Sequence, residues 1–207
     1  MTARTSRTPV ALLLALLVAT PLRGQEADSR RAEAAADDLR LAVLPLPVEA
    51  RAALEGRGIA RHVLSDPDWH TWGASVVRGD DGRWHLFHSR WPRATAFTGW
   101  LSLSQVAHAV ADDPAGPYEH VGIALAGRGP GHWDAVSAHN PVITRFDGRC
   151  YLYYISTRTA DEDADLGAIA STGYAHGSWK ELREAQRTGV AVADSLEGPW
   201  QRLDAPI

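Results

Sequence analysis

The stretch Asp-Gly-Arg-Trp-His-Leu-Phe at residues 81–87 decides the fold, because it returns as Asp-Gly-Arg-Cys-Tyr-Leu-Tyr at residues 147–153. A second shared stretch, Ala-Val-Ala-Asp, stands at residues 109–112 and again at residues 191–194. The two copies are offset by 66 positions at the first stretch and by 82 at the second. A repeat of this length, made of short strands and Gly/Pro turns, is typical of β-propeller blades.

Each copy predicts four antiparallel strands. In the first, residues 75–77 and 84–88 flank a turn at residues 79–82, whose Gly and Asp tolerate positive φ, so these segments form a hairpin. A third strand follows at residues 106–110, and Gly-Pro before Tyr118 sets the corner that leads to an outer strand. We therefore predict an all-β, propeller-type chain.

The predicted partial propeller occupies residues 62–207, with blade one at about 66–127 and blade two at about 133–207. Residues 158–179 are an acidic, Gly-rich insertion between strands, which we interpret as a loop of the kind that often carries specificity. Two blades cannot close a ring, so we expect an incomplete chain that is inactive as a 207-residue monomer. If this is the native length, exposed sheet faces predict oligomerisation.

The first 24 residues have the pattern of a secretory signal peptide. Arg4 and Arg7 precede an apolar run at residues 10–18, which is about half of the roughly 20 residues that a membrane span needs. We expect cleavage, a secreted or periplasmic protein and no membrane attachment after cleavage, with an uncleaved anchor as the alternative. Residues 25–61 are then a short helical leader or linker.

Composition excludes some classes of partner and indicates another. The net charge of −4 argues against nucleic acid, which requires a basic face. Eight Trp, several beside polar residues, suit sugar rings, although Trp also fills cores. The single cysteine, Cys150, is expected to be a buried thiol. Nine His form neither a helical His pair nor a cluster with Cys, so we predict no metal and no cofactor.

Six short motifs occur in order along the predicted blades. They are Asp-Pro-Asp-Trp at residues 66–69, Trp-Gly-Ala-Ser at 72–75, His-Leu-Phe at 85–87, Ser-Arg-Trp-Pro at 89–92, Trp-Asp at 133–134 and His-Asn-Pro at 139–141. Together they resemble the N-terminal half of the five-bladed β-propeller glycoside hydrolases, the broad group that includes families 32, 43, 62, 68 and 117, with family-43-like secreted proteins nearest. The resemblance implies a funnel on the propeller axis, a carbohydrate substrate and hydrolysis of glycosidic bonds.

The resemblance also implies catalytic carboxyl groups, with the general acid supplied by a later blade. Asp66 and Asp68, ahead of the first inner strand, are the candidates for base or nucleophile, although Ser-Asp-Pro-Asp also suits a turn. Asp134 is a candidate for a second carboxylate, or else a turn cap. His139 is a candidate acid or a hydrogen-bond donor to a sugar hydroxyl.

Candidate substrate-binding residues lie beside these acids. They are Trp69, Trp72, Arg90, Trp91, Trp133 and Asn140. Asn140 stands where many relatives carry a pKa-tuning Asp, and its equivalent in blade one is expected near residues 74–75 rather than at Asp68. Arg90 could hold an acidic sugar or pair on the surface, and Gln186 is expected near the funnel rim. The alternative function is a non-catalytic carbohydrate-binding module; a protein-binding repeat propeller is a weaker one.

Overall fold

The computed structural model describes residue 48 and residues 64–207. The predicted signal peptide at residues 1–24 therefore lies outside the described residues, as does the predicted leader at residues 25–61 except for residue 48. Among the residues described, no helix is both long and apolar enough to cross a membrane.

Eight strands form two antiparallel sheets in which the strand order follows the chain. The first sheet contains β1 (Trp69–Arg78), β2 (Trp84–Pro92), β3 (Gln105–Ala111) and β4 (Glu119–Leu125). The second contains β5 (His139–Phe146), β6 (Arg149–Ser156), β7 (Arg187–Ala193) and β8 (Gln201–Arg202). Four strands in meander order are the build of a propeller blade, which confirms the prediction of an all-β chain with two blades.

The inner strands β1 and β5 are both interrupted by a β-bulge near their beginning. The pairing of β1 with β2 shifts between Trp72 and Ala74, and that of β5 with β6 shifts between His139 and Val142. Gly73 and Asn140 have positive φ there, +45° and +49°. The first hairpin turn has three residues between Gly79 and Arg83, which share a backbone hydrogen bond, whereas the second has two residues between Phe146 and Arg149. This difference of one residue shifts the alignment of the two inner strands. Asn140 is therefore equivalent to Gly73, one residue before the predicted position.

The two sheets share one hydrophobic core. Phe87 of the first sheet and Leu152 and Tyr154 of the second are each at most 1% exposed and belong to the same cluster. Burying each such side chain contributes about 1.5–3 kcal/mol. The sheets are also joined by hydrogen bonds, since the Asn140 N–H donates to Ser89 Oγ at 2.8 Å. The beginning of β5 is thereby held against the first sheet.

The insertion at residues 158–179 is not the loop that the sequence predicted. It contains α2 (Leu166–Thr172) and the first part of α3 (Gly177–Glu184), and α1 (Trp100–Leu103) lies in the first blade. Asp165 caps α2 by accepting a hydrogen bond from the Ala168 N–H at 3.0 Å. Apolar residues from all three helices form a second core. Its buried members are Leu101, Val136, Ile169, Trp179 and Leu182.

Each sheet also keeps an apolar face exposed. Val76 of β1 and Val121 of β4 are 42% and 55% exposed, and Val142 and Phe146 of β5 are 55% and 72% exposed. Exposed apolar strand residues of this kind are what the sequence predicted for a two-blade chain. The expected oligomerisation stays a prediction.

Candidate functional site

A cleft of about 350 Å³ lies where β1 and β5 begin, between the two sheets and the helical insertion. It is lined by Trp72, Trp91, Phe97, Trp100, His139, Asn140, Ile155, Arg183 and Gln186, and is called the aromatic cleft below. Four predicted site residues meet here: Trp72, Trp91, His139 and Asn140. Gln186, expected near a rim, also lines it.

Aromatic rings form the walls of the aromatic cleft. The Phe97 ring lies edge-on to Trp72, with 5.8 Å between ring centroids, and edge-on to Trp91 at 5.4 Å. Trp91 is buried, whereas Trp72 and Phe97 are more than half exposed. Such edge-to-face contacts hold the rings in place, so two exposed, fixed ring surfaces are available to a ligand.

His139 forms the floor of the cleft and is neutral at physiological pH. Its ring stacks on Trp100 with 4.8 Å between centroids, and its Nδ1 shares a 2.8 Å hydrogen bond with Ser104 Oγ. Burial lowers the pKa of His139 to about 4. A histidine that is neutral at pH 7 is a poor proton donor, so the structure favours hydrogen bonding over the general-acid role for His139.

Polar groups stand at the edge of the aromatic cleft. Asn140 is exposed at the bulge of β5, and Gln186 precedes β7. Arg183, from α3, lies with its guanidinium carbon 5.7 Å from the centre of the Trp100 ring. Its charge is therefore held beside an aromatic wall. The helical insertion thus contributes to the cleft.

The bulge in β1 is expected to favour glycine, because a side chain there must displace that of Asn140. A Cβ on Gly73 would lie 2.8 Å from Asn140 Oδ1, and φ there is +45°. We expect Gly73→Ala to lower the free energy of unfolding by about 1–3 kcal/mol, as measured by urea denaturation, because it combines strain with a clash. Gly82→Ala is the control, since φ is +80° but nothing lies within 4 Å. Equal losses in the two variants would contradict a close contact at Gly73.

Asp66 and Asp68 lie before β1 and do not line the aromatic cleft. Asp66 Oδ1 accepts the Asp68 N–H at 2.9 Å, which is the turn that the sequence allowed as an alternative. The Asp68 side chain is exposed. His70, two residues further on, has its ring centroid 5.2 Å from that of Trp91. Asp68 thus precedes by two residues a side chain that contacts a wall of the cleft.

Trp69 and Arg90 form a separate pair. The Arg90 guanidinium carbon lies 4.1 Å above the centre of the Trp69 ring, and Arg90 Nη1 is 3.3 Å from His120 Nε2. Because side chains alternate along a strand, Arg90 projects from the face of β2 opposite to Trp91. Neither Trp69 nor Arg90 lines the aromatic cleft, and their predicted role in substrate binding stays a prediction.

Asp134 belongs to a buried ion-pair network. Its carboxylate is 2.5 Å from Arg128 Nε and 3.1 Å from Arg202 Nη1, and it accepts the Tyr154 hydroxyl at 2.7 Å. The Asp134 side chain is completely buried. Trp133 stacks on Tyr154 and donates its indole N–H to the Leu203 carbonyl at 3.2 Å. Both residues contact side chains or backbone of the second sheet and do not line the aromatic cleft, and their predicted site roles stay predictions.

Phe97 and Arg183 line the cleft but were missed by the sequence reasoning. No motif marks Phe97, which lies in the connection from β2 to β3. Arg183 lies in α3, within a segment that continues the predicted loop. An amphipathic pattern around Trp179 and Leu182, which are both buried, was the available signal for that helix.

No protein-family model matches this chain, and no curated protein matches it. Several solved structures do. A family 117 glycoside hydrolase from the marine bacterium Zobellia galactanivorans is 18% identical over 66% of this chain and 38% of its own, with a TM-score of 0.49. The GH43_1 enzyme from Xanthomonas citri, solved with xylose, is 22% identical over 75% of this chain and 39% of its own, with a TM-score of 0.49.

A third similar structure is a GH43 β-xylosidase/α-arabinofuranosidase from a compost microbial metagenome, solved with xylotriose. It is 19% identical over 72% of this chain and 38% of its own, with a TM-score of 0.47. The chain thus spans less than two fifths of the length of each of these enzymes. All three are glycoside hydrolases, the class that the sequence motifs resemble. The assignment of the fold rests on the strand topology of this chain.

Proposed function

We propose that this chain is an exported glycoside hydrolase that binds its substrate in the aromatic cleft. One observation carries the proposal: exposed aromatic faces and hydrogen-bonding side chains surround one cavity where the two inner strands begin. A sugar ring has apolar faces and polar edges, so it fits a site of that composition. Export is supported by the basic and apolar pattern of the first 24 residues.

The side chains of the cleft suggest how a sugar would be held. The exposed rings of Trp72 and Phe97 would cover its apolar faces. Asn140 and Gln186 can each donate and accept hydrogen bonds with hydroxyl groups. Neutral His139 adds its Nε2, because Nδ1 is already bonded to Ser104. This set recognises a neutral sugar, and Arg183 would accommodate a negatively charged substituent.

Asp68 is the proposed carboxylate for the reaction. It is exposed and lies two residues before His70, whose ring contacts Trp91 of the cleft, whereas the Asp66 carboxylate accepts a hydrogen bond within its own turn. In this role Asp68 would activate the attacking water or attack the anomeric carbon itself. Hydrolysis also needs a second carboxyl group to protonate the leaving group. That group remains to be assigned, because no Asp or Glu lines the aromatic cleft in the described part of the chain.

The same observation favours a second candidate function. A cleft that holds aromatic rings and amides but no carboxylate within residues 64–207 also suits a non-catalytic carbohydrate-binding module. Both candidates require sugar binding at the cleft, and only the first requires turnover. Binding is therefore tested first and separately.

Isothermal titration calorimetry with xylotriose tests the cleft, since two of the similar enzymes were solved with this sugar. We expect saturable binding that Trp72→Ala weakens about five- to tenfold, the loss of roughly 1–1.4 kcal/mol of stacking. Phe146→Ala is the control, because Phe146 is a 72% exposed aromatic residue outside the cleft. Asn140→Gly keeps the positive φ and removes only the polar edge, so it should weaken binding without unfolding.

Two results would overturn the assignment of the cleft. One is an equal loss of xylotriose affinity in Trp72→Ala and Phe146→Ala, which would show that the sugar does not bind at the cleft. The other is the absence of saturable binding to xylotriose and to arabinose- and galactose-based oligosaccharides tested in parallel.

A further inference from the structure

Three metal-ligand side chains converge at the end of β1 that is far from the aromatic cleft. Asp81 lies in the turn between β1 and β2, His85 lies on β2, and Glu197 lies in the turn between β7 and β8. One ligand atom from each residue lies within 4.8 Å of the other two. All three also line a cavity of about 140 Å³ between the two sheets. We propose that Asp81, His85 and Glu197 form a Zn²⁺ site that links the two sheets.

The distances suit a single bound cation. The Asp81 carboxylate oxygens lie 3.2 and 3.3 Å from His85 Nε2. Two ligands bound at about 2.0–2.2 Å in tetrahedral geometry lie roughly 3.3–3.6 Å apart, so this pair is already near the required spacing. Glu197 Oε1 lies 3.9 Å from His85 Nδ1, which is not the nitrogen that faces Asp81. The Glu197 side chain is largely exposed, so binding requires that it rotate toward Nε2.

The buried imidazole is oriented for this role. His85 is 1% exposed. Its Nδ1 is 2.9 Å from His108 Nε2, which leaves Nε2 pointing toward Asp81. The His108 ring in turn stacks on Phe87 of the shared core, with 4.5 Å between centroids and 4° between planes. A metal-binding histidine commonly has its other ring nitrogen held by a hydrogen bond in this way.

The chemistry of the donors selects the cation. One imidazole and two carboxylates form a mixed nitrogen and oxygen set, which suits Zn²⁺ and related transition metals. Ca²⁺ prefers six to eight oxygen ligands, and this cluster offers fewer. Three protein ligands leave a fourth tetrahedral position for water. Glu197 belongs to the second blade and the other two ligands belong to the first. Zn²⁺ binding would therefore link the two sheets and stabilise their packing.

The test is calorimetric titration of the full chain with ZnCl₂ after treatment with EDTA, followed by thermal unfolding with and without Zn²⁺. We expect one saturable site and a higher melting temperature with Zn²⁺. Asp81→Asn and Glu197→Gln should each weaken Zn²⁺ binding about tenfold or more and remove the thermal shift. Both side chains are partly exposed, so these variants are expected to fold.

Asp112→Asn is the matched control. It removes one negative charge from the same end of the first blade, but its exposed carboxylate pairs with Arg83 at 3.2 Å and lies outside the cluster. Zn²⁺ binding by this variant should equal that of the native chain, and CaCl₂ should bind more weakly than ZnCl₂. The site is rejected if no saturable Zn²⁺ binding occurs, if only one of the two ligand variants weakens it, if Asp112→Asn weakens it equally, or if Ca²⁺ binds more tightly.

Discussion

Replacing Asp134 by Ala is expected to lower the free energy of unfolding by about 3–5 kcal/mol, because two largely buried arginines lose their only buried carboxylate partner among the described residues. Arg128 and Arg202 both pair with this carboxylate, and their side chains are only 18% and 13% exposed. The Tyr154 hydroxyl would lose its acceptor as well. The measurement is urea denaturation followed by tryptophan fluorescence.

Glu184→Gln is the control for this prediction. It removes one carboxylate from the exposed Lys180–Glu184 pair on α3, where the two charged atoms are 3.6 Å apart. Exposed pairs on a helix contribute about 0.3–0.5 kcal/mol, so the change should be small. If Asp134→Ala cannot be obtained folded, Asp134→Asn keeps the volume and is measured instead. A loss from either Asp134 variant no larger than that of the control would contradict the buried network.

The network also predicts a dependence of stability on pH. Burial acts to raise the pKa of Asp134, but hydrogen bonds from Tyr154, Arg128 and Arg202 outweigh it, so the pKa is lowered in the folded protein. A lowered carboxyl pKa stabilises the fold above the unfolded value of about 3.9, and this contribution is lost as the pH falls through the folded value. The free energy of unfolding of Asp134→Asn should therefore fall less steeply with decreasing pH than that of the native chain.

Replacing Asp68 by Asn is expected to lower the turnover of the proposed hydrolase by about 10²–10⁴-fold. An amide cannot accept the proton of the attacking water and is a poor nucleophile, so the chemical step fails. Binding of xylotriose should be largely retained, because the proposed sugar contacts are made by the rings and amides that line the aromatic cleft. The measurement is the rate of sugar release from aryl glycosides and oligosaccharides, with affinity determined in parallel.

Asp66→Asn is the matched control, since Asp66 lies two residues away and its Oδ1 serves as a turn acceptor. An Asn side-chain oxygen can keep that hydrogen bond, so turnover should remain near that of the native chain. An equal loss of turnover in both variants would indicate that turnover requires the turn and not the Asp68 carboxylate. Sugar binding with no turnover in the native chain would remove the support for Asp68 as a catalytic carboxylate in this chain.

Local signals predicted the sheets well. The Asp-Gly turns at residues 81–82 and 147–148 and the corners before Tyr118 and Trp200 restrict the backbone by themselves, so the strands between them follow. The helical insertion was misread because its charged residues suggested a loop. Its helices are stabilised by the packing of Trp179 and Leu182 against residues distant in the sequence.

The site was predicted in part for a similar reason. Trp72 and Asn140 lie where inner strands begin, and a repeat places equivalent positions at the same end of neighbouring blades. Arg183 reaches the cleft only because α3 folds back over Trp100. Asp134 is a candidate in the sequence because residues 133–134 are one of the six motifs that together resemble the propeller glycoside hydrolases. Its partners Tyr154 and Arg202 lie outside that motif, and only the folded structure brings them to Asp134.

The all-β class, the two four-stranded units and the order of their strands follow from the sequence, because turn residues and alternating strands act over a few positions. Which side chains meet depends on the folded arrangement of the two sheets. Gly73 opposes Asn140, and His85 faces Glu197, across 67 and 112 positions of sequence. Such meetings depend on how one sheet packs on the other, and that packing is set by the shared core around Phe87 and Leu152.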